Sequence, residues 1–303
     1  MKILSGAQIF HTLIRVVCIF GLSVPLFGNL QADELSGLRK IRLISEKTAI
    51  DINSKSIIIA IDIELEPNWK TYWRSPGQYG LPLEFRIIES TNVLNITPLW
   101  PAPKRFVNEK FPFLSMIGYE KRLVLPLIIE LTKKGRGAKV KLDVSLGVCR
   151  NMCASVDKRI EINLPAGLPK DTKEAKLIAI SMAHVPKRDA VENFKLFAAT
   201  NKNTPSELRL AVCYFGEDKN PDIFIESSPN VSFVAPLKVV MRRGAFILFA
   251  ANADKNPTTN PAGAVPQIGS TVTLTFVAED LLREDKVVVD SDFSMEVQYC
   301  SMG

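Results

Sequence analysis

The feature that most constrains the fold is an alternating run of residues from Val140 to Leu164 that is interrupted once. Apolar side chains take every second position before the interruption, and the alternation returns after it. A period of two is that of a β-strand with one buried face. We therefore predict two strands joined by a turn that begins and ends with Cys149 and Cys153. If the pleat continues, Cys149 lies with the polar set and faces solvent.

The short spacing of Cys149 and Cys153 favours a redox-active pair. Bridged cysteines have Cα atoms roughly 4.4 to 6.8 Å apart, whereas four steps of extended chain span about 13 Å, so a bridge requires the predicted turn. Such a bridge closes a loop of ~5 residues and contributes about 2 kcal/mol, against roughly 4 to 5 kcal/mol for a bridge between the two remaining distant cysteines. An inert structural bridge and a metal site are the alternatives.

Composition indicates an ordinary globular protein. The chain has 303 residues, 47% hydrophobic and 23% charged, which is enough for two domains of about 130 residues each. The leader described next contains two of the 38 basic residues, so the rest of the chain has 36 basic and 32 acidic residues. The excess of basic residues is small, and basic and acidic residues are interspersed along the sequence, so we expect no binding of nucleic acid.

The first 32 residues are predicted to be a cleaved signal peptide. Lys2 and Arg15 precede an apolar run, Val16 to Phe27, and the small residue Ala32 precedes the expected cleavage point. The run is short for a membrane span, which needs about 20 residues, so an uncleaved anchor is the less favoured alternative. We expect an exported, periplasmic protein that does not itself span the membrane after cleavage.

The counts of cysteine and histidine exclude several kinds of site. Removal of the leader takes away Cys18 and His11, which leaves four cysteines and the single histidine His184, so a multi-histidine zinc site is excluded. We expect no cofactor and no bound metal. Cys213 and Cys300 are either bridged or buried free thiols, because sequence alone does not place their Cα atoms.

The strand pattern predicts an all-β protein: an immunoglobulin-like β-sandwich over 33–165, a linker helix within 166–190, and a second β-sandwich-like domain over 191–303. Asp171 or Thr172 is the expected helix cap. The predicted strands are Leu38–Leu43, Ser56–Leu65, Leu83–Ile88, Val93–Leu99, Arg122–Leu131, Val140–Val148, Leu208–Cys213, Asp222–Glu226, Val231–Arg242, Ala245–Ala250, Thr271–Phe276 and Met295–Cys300.

Two further segments are unusual. The aromatic segment Trp69 to Tyr79 either plugs one end of the sandwich, which we favour, or offers a platform on which sugars or bases stack. The long connection Lys104 to Tyr119 is rich in apolar residues but lacks a strand period. Such a loop packs over the fold or covers something.

Several motifs together resemble a known family, the N-terminal periplasmic domain of the thiol:disulfide interchange protein DsbD. The closer likeness is to its ScsB relatives, whose exported portion has two such β domains. The resemblance covers Leu38 to Pro165 well and the rest only in general arrangement. It is carried, in order, by Gln78-Tyr79-Gly80-Leu81-Pro82, Trp100-Pro101-Ala102-Pro103, Gly118-Tyr119-Glu120, Leu123-Val124-Leu125-Pro126-Leu127 and Gly147-Val148-Cys149-Arg150-Asn151-Met152-Cys153.

The resemblance implies a cysteine pair that alternates between dithiol and disulfide. In the family, such a domain takes electrons from a membrane-embedded thiol reductant and passes them to periplasmic thioredoxin-fold proteins, in some cases for cytochrome c biogenesis. It further implies that Cys153 is the attacking thiol and Cys149 the resolving one. The family's cap loop maps to Lys104–Tyr119, which makes Phe106 or Phe111 the expected shield, with Tyr119 at the end of the loop.

The chain also departs from the family pattern. The DsbD pair is more widely spaced, and we find neither a transmembrane electron carrier nor a thioredoxin-like domain here, so a partner chain is expected to supply electrons. Two alternative functions are open. Cys149, Met152 and Cys153 are soft ligands suited to Cu(I), which would make this a copper-handling protein. A non-catalytic binding protein that uses the aromatic segment is the other.

Overall fold

The alternating segments of the sequence form strands, and the strands assemble into three sheets in the computed structural model of the chain. The structure describes residues 37–77, 80–110, 115–189, 194–200, 204, 207–218, 220–227, 231, 233, 238–243, 245–253, 265–291 and 300. The predicted signal peptide and the shield candidate Phe111 lie outside these residues. Within the described ranges, no helix has the length and apolar character that a membrane crossing requires.

Ten strands form two sheets that face each other, and we call this part the first sandwich. One sheet has the order β1-β2-β8-β5, and the other has the order β10-β9-β3-β7-β6 with β4 paired to β9. Inward-facing side chains of both sheets share one apolar core. The strands are β1 (Leu38–Ser45), β2 (Ser56–Leu65), β3 (Lys70–Tyr72), β4 (Glu84–Thr91), β5 (Val93–Pro98), β6 (Lys104–Phe106), β7 (Met116–Glu120), β8 (Arg122–Leu131), β9 (Ala138–Cys149) and β10 (Cys153–Leu164).

The predicted helix is present as α1 (Ala175–Ala183), and it packs on the outer face of the four-stranded sheet. Ile178 is buried there against Val124, and the Ser181 hydroxyl donates a hydrogen bond to the Val124 carbonyl at 2.6 Å. The predicted cap is wrong. The N-cap is Glu174, whose side chain makes no capping bond and accepts from Arg42 instead. Thr172 does not cap the helix, and its hydroxyl donates to the Ser45 carbonyl.

The third sheet has seven strands, in the order β13-β16-β17-β11-β12-β15-β14, and it is called the second sheet below because it follows the first sandwich in the chain. The two halves of this sheet meet where β11 pairs in parallel with β17, and apolar residues of both halves pack into one core, as in a sandwich. The strands are β11 (Lys195–Thr200), β12 (Glu207–Cys213), β13 (Asp222–Glu226), β14 (Lys238–Arg243), β15 (Phe246–Asn252), β16 (Thr271–Val277) and β17 (Leu282–Asp290).

The all-β, immunoglobulin-like fold predicted from the strand period is confirmed. The strands β6 and β7 lie in the connection that we predicted as a loop. The sequence does not predict them because three and five residues are too few for a strand period to be recognised. The strands β11 and β17 were not predicted at all. Most of the predicted strand Met295–Cys300 lies outside the described residues, and the division into two domains stays a prediction.

Candidate functional site

Cys149 and Cys153, called the cysteine pair below, close the hairpin between β9 and β10. They stand directly opposite each other in the antiparallel register, and their sulfurs are bonded, with Cα atoms 4.1 Å apart. The turn has three residues, and within it the Arg150 N–H donates to the Met152 carbonyl at 3.0 Å. The turn predicted from the interrupted alternation therefore brings the two sulfurs together.

The two members of the cysteine pair differ in exposure. Cys153 is exposed, and Met152 beside it is 81% exposed, whereas Cys149 is only 6% exposed. The prediction that Cys149 faces solvent is therefore wrong. Cys149 lies on the expected face of β9, the face of Asp143 and Ser145, but at this end of the strand a side chain of the neighbouring strand β3 covers it.

The cover is the side chain of Tyr72. Its hydroxyl oxygen lies 2.9 Å from the sulfur of Cys149 and 3.4 Å from that of Cys153. Because bonded sulfurs carry no hydrogen, the phenol is the donor in this contact. Burial raises the pKa of Tyr72 above its ordinary value of 10.0, so the phenol keeps its proton at neutral pH and can donate to sulfur.

Strand β3 sets the position of Tyr72. Lys70 stands opposite Cys149 and Thr71 opposite Val148, and the Thr71 hydroxyl donates to the Gly147 carbonyl at 2.9 Å. Side chains two apart on a strand share a face, so Lys70 and Tyr72 both lie on the face that carries the cysteine pair. The intervening Thr71 is fully buried on the other face.

Gly147 provides the space that the Tyr72 ring occupies. A Cβ atom at this position would lie 3.0 Å from Cε2 of Tyr72 and 2.7 Å from Cβ of Leu81. The Gly147 N–H also donates to the Leu81 carbonyl at 3.0 Å, which holds this segment against the sheet. A side chain at 147 would therefore compete directly with the cover of the cysteine pair.

The predicted shield residues occupy different places. Phe106 lies on β6, and the ammonium of Lys70 is 5.1 Å from its ring centroid, on the face that carries the cysteine pair. The strands β3 and β7 lie between it and β9. Tyr119 stands opposite Thr71, faces the core, and donates to the Pro101 carbonyl at 2.7 Å. The shielding role of Phe106 and Phe111 stays a prediction.

The aromatic segment divides between core and site. Trp73 is 1% exposed and Trp69 packs against the same core, as the plug interpretation predicts. Tyr72 contacts the sulfurs instead, and our sequence reasoning missed it. The signal was available in principle: adjacent strand residues point to opposite faces, so Tyr72 and Trp73 cannot both enter the core.

The remaining two cysteines form a second bridge, Cys213–Cys300, with Cα atoms 5.5 Å apart. Cys213 lies at the end of β12 and is fully buried, and Cys300 is 8% exposed. This bridge has no exposed sulfur-bearing residue comparable to Cys153. In the part of the chain that the structure describes, no group of three or more His, Cys, Asp or Glu residues is placed to hold a metal ion.

The first sandwich matches the sequence model of a known protein family. The model described as thiol:disulfide interchange protein DsbD, N-terminal, matches residues 40–165. Residues 40–165 form a DsbD-like N-terminal domain. The cysteine pair, Tyr72 and Phe106 all lie inside the matched residues.

Solved structures extend the likeness in fold. The N-terminal periplasmic domain of ScsB from Proteus mirabilis matches with a TM-score of 0.63 and 19% identity, covering 80% of this chain and 91% of that one. A tandem of titin immunoglobulin domains covers 84% of this chain and 96% of its own at 11% identity, but its TM-score of 0.16 is too low to support an argument. No curated protein sequence matches the chain.

Proposed function

We propose that the cysteine pair alternates between disulfide and dithiol, and that the chain relays electrons from a membrane-embedded thiol reductant to thioredoxin-fold proteins in the periplasm. One observation carries the proposal: a bridged pair in which Cys153 is exposed while Cys149 is buried under a hydroxyl donor. The DsbD-like domain and the periplasmic origin of the ScsB relative support it.

Reduction of the bridge begins at the exposed sulfur. A thiolate of the reductant attacks Sγ of Cys153, a mixed disulfide forms, and the electron pair of the broken bond passes to Sγ of Cys149. The Tyr72 phenol is within reach to donate to the new thiolate, and such charge-assisted bonds are the stronger ones. The second thiolate of the reductant then attacks the mixed disulfide and releases Cys153, so two electrons have entered the pair.

Delivery of the electrons runs the same steps in reverse order. The thiolate of Cys153 attacks a disulfide of the thioredoxin-fold partner, and one partner sulfur leaves as a thiolate. Cys149 then attacks Sγ of Cys153, re-forms the bridge and releases the partner as a dithiol. The exposed cysteine therefore attacks and the buried one resolves, as the family resemblance implies.

The shielding of the pair is part of the same proposal. Tyr72 covers Cys149, so access to the sulfurs is open on the side of Cys153. Phe106 contacts Lys70 on the same face of the sheet, and we propose that it helps to restrict access from the side of β6. Restricted access protects a reduced pair from wrong oxidants while leaving one direction for a partner. We propose that 33–165 is the domain that performs the exchange.

The test is a redox titration combined with trapping. In glutathione or dithiothreitol buffers the pair should titrate with a potential above roughly −300 mV, the region of exchangeable bridges. A Cys149→Ser variant should hold a thioredoxin-fold partner as a mixed disulfide through Cys153, whereas Cys153→Ser should not. A pair that stays oxidised in every buffer, or single variants that unfold, would show that the bridge is structural.

The exposed thioether of Met152 favours a second candidate function, Cu(I) binding by the reduced pair. Met152 lies in the turn between the two cysteines, where three soft sulfurs come from five consecutive residues. Stoichiometric Cu(I) binding by the reduced chain that is lost in Met152→Ala would support this function. Binding that is unchanged in that variant would argue against it.

A further inference from the structure

One strand of the second sheet, β13, presents alternate residues to the first sandwich. Asp222, Phe224 and Glu226 share one face of the strand, because strand side chains alternate. Phe224 belongs to the core of the first sandwich, whereas Ile223 and Ile225 belong to the core of the second sheet. β13 thus joins two cores through an acidic-aromatic-acidic face.

The first contact of this face is made with Arg74, two residues after Tyr72. The Nε of Arg74 donates to both carboxylate oxygens of Glu226, at 2.9 and 3.1 Å. The same guanidinium also donates to Glu284 of β17, which is 5% exposed and binds Arg188 as well. Partly buried charges are stable only when they are paired in good geometry, so this contact fixes the orientation of Arg74.

The second contact is made with Arg105 of β6, next to Phe106. Arg105 is 6% exposed, and its guanidinium donates to both carboxylate oxygens of Asp222, at 3.0 and 3.2 Å. It also donates to the Ile223 carbonyl at 3.1 Å and lies over the Phe224 ring, 4.8 Å from the centroid. Three kinds of contact therefore join β6 to β13.

The third contact is between rings. Trp73 and Phe224 meet edge to face with centroids 5.7 Å apart. Trp73 follows Tyr72 and Arg105 precedes Phe106, and neighbouring residues of an extended chain point in opposite directions. Trp73 and Arg105 therefore reach β13 from the back of two segments whose front carries Tyr72 and Phe106.

We infer that β13 is a positioning element for the cysteine pair: by holding Trp73, Arg74 and Arg105, it holds Tyr72 over the sulfurs. This inference rests on the proposed redox function of the pair and adds a role for the second sheet in it. Loosening β13 should let Tyr72 leave the sulfur of Cys149, which would open the buried side of the bridge to a reductant.

The test is a double variant of β13, Asp222→Asn with Glu226→Gln, in the full-length chain. These changes keep the shape of the side chains and remove the charges of β13 that face Arg105 and Arg74, while Glu284 of β17 keeps its charge beside Arg74. The rate at which tris(carboxyethyl)phosphine reduces the cysteine pair is followed by alkylation and peptide mass spectrometry. We expect an increase of about fivefold or more, the lower end of coupling between sites of one protein. An unchanged rate would overturn the inference.

Two controls separate positioning from general loosening. Glu207→Gln removes an acidic partner of Arg209 on β12 of the same sheet, and it should leave the rate unchanged. The second bridge, Cys213–Cys300, is buried against the second sheet and should be reduced equally slowly in the β13 variant and in the wild type. Equal acceleration of both bridges would mean that the sheet has loosened as a whole, and it would overturn the inference.

A double-mutant cycle tests whether β13 acts through Tyr72. Tyr72→Ala removes the cover and should accelerate reduction of the cysteine pair by itself, and adding the β13 changes should then have no further effect. Effects that multiply would show that β13 does not act through Tyr72. Exchange with a thioredoxin-fold dithiol protein is measured separately. If the wild type fails to exchange, the proposed function is lost, whereas the phosphine rates still decide the role of β13.

Discussion

Gly147→Ala tests how the cysteine pair is covered. The added methyl would lie 2.7 Å from Cβ of Leu81, 2.9 Å from its carbonyl oxygen and 3.0 Å from the Tyr72 ring. These distances are shorter than an ordinary van der Waals contact of about 3.5 to 4.0 Å, so a neighbour has to move. The two shortest distances are to Leu81, so the Leu81 segment, which the hydrogen bond to the Gly147 N–H holds in place, has to move, and the Tyr72 ring has to shift as well.

The expected cost is that of overpacking, about 1 to 3 kcal/mol. Differential scanning calorimetry should show this as a melting temperature lower by roughly 2 to 4 °C for each kcal/mol. Because the displaced ring no longer covers Cys149, phosphine reduction of the cysteine pair should be faster as well.

The matched control for Gly147→Ala is Ser155→Thr. Ser155 stands directly opposite Gly147 in the register but is exposed, so the extra methyl meets water and should change neither the melting temperature nor the rate. If Gly147→Ala behaves like this control in both measurements, Tyr72 does not depend on the space at residue 147. A lower melting temperature with an unchanged reduction rate would refute the role of Tyr72 as the cover.

Further measurements address the Tyr72 phenol, the two disulfide bridges and the ion pairs of Glu284. Tyr72→Phe removes a donor that favours the thiolate, so the potential of the cysteine pair should become more negative by roughly 10 to 30 mV, and an unchanged potential would count against that donor. Replacing Cys213 and Cys300 by alanine should cost about 4 to 5 kcal/mol in a denaturant titration and replacing the cysteine pair about 2, because their sequence separations are 87 and 4; the reverse order would contradict the loop-entropy account. Burial by itself raises the pKa of Glu284, but the hydrogen bonds and charges of Arg74 and Arg188 outweigh it and hold that pKa below its ordinary value of 4.5. The stability that Glu284 contributes is therefore complete above about pH 4.5 and lost as the pH falls through the lowered pKa, so the melting temperature should fall less steeply between about pH 7 and pH 3 in Glu284→Gln than in the wild type.

The sequence alone was sufficient to predict the hairpin that carries the cysteine pair. Its alternation extends over 25 residues, Val140 to Leu164, and such a local period depends only on which side chains face the core. The turn and the opposition of the two cysteines follow from the same pattern, and the structure shows both.

The burial of Cys149 was beyond the sequence because its cover comes from 77 residues earlier in the chain. A local pattern gives the face on which a residue lies, but it does not say which distant strand covers that face. The contacts of β13 were missed for the same reason: Asp222, Phe224 and Glu226 read as an ordinary strand until Arg74 and Arg105 are placed opposite them. Short strands such as β6 carry too few residues for any period.

The edge-to-face packing of Trp73 on Phe224 has an evolutionary consequence. A homologous protein with one immunoglobulin-like unit would expose to water the part of the Trp73 indole that meets Phe224, together with the guanidinium groups of Arg74 and Arg105. We therefore expect single-unit homologues to carry other residues there and to retain the tyrosine on the neighbouring position. In such proteins, the contacts that hold the tyrosine over the cysteine pair have to be made by residues of the same immunoglobulin-like unit.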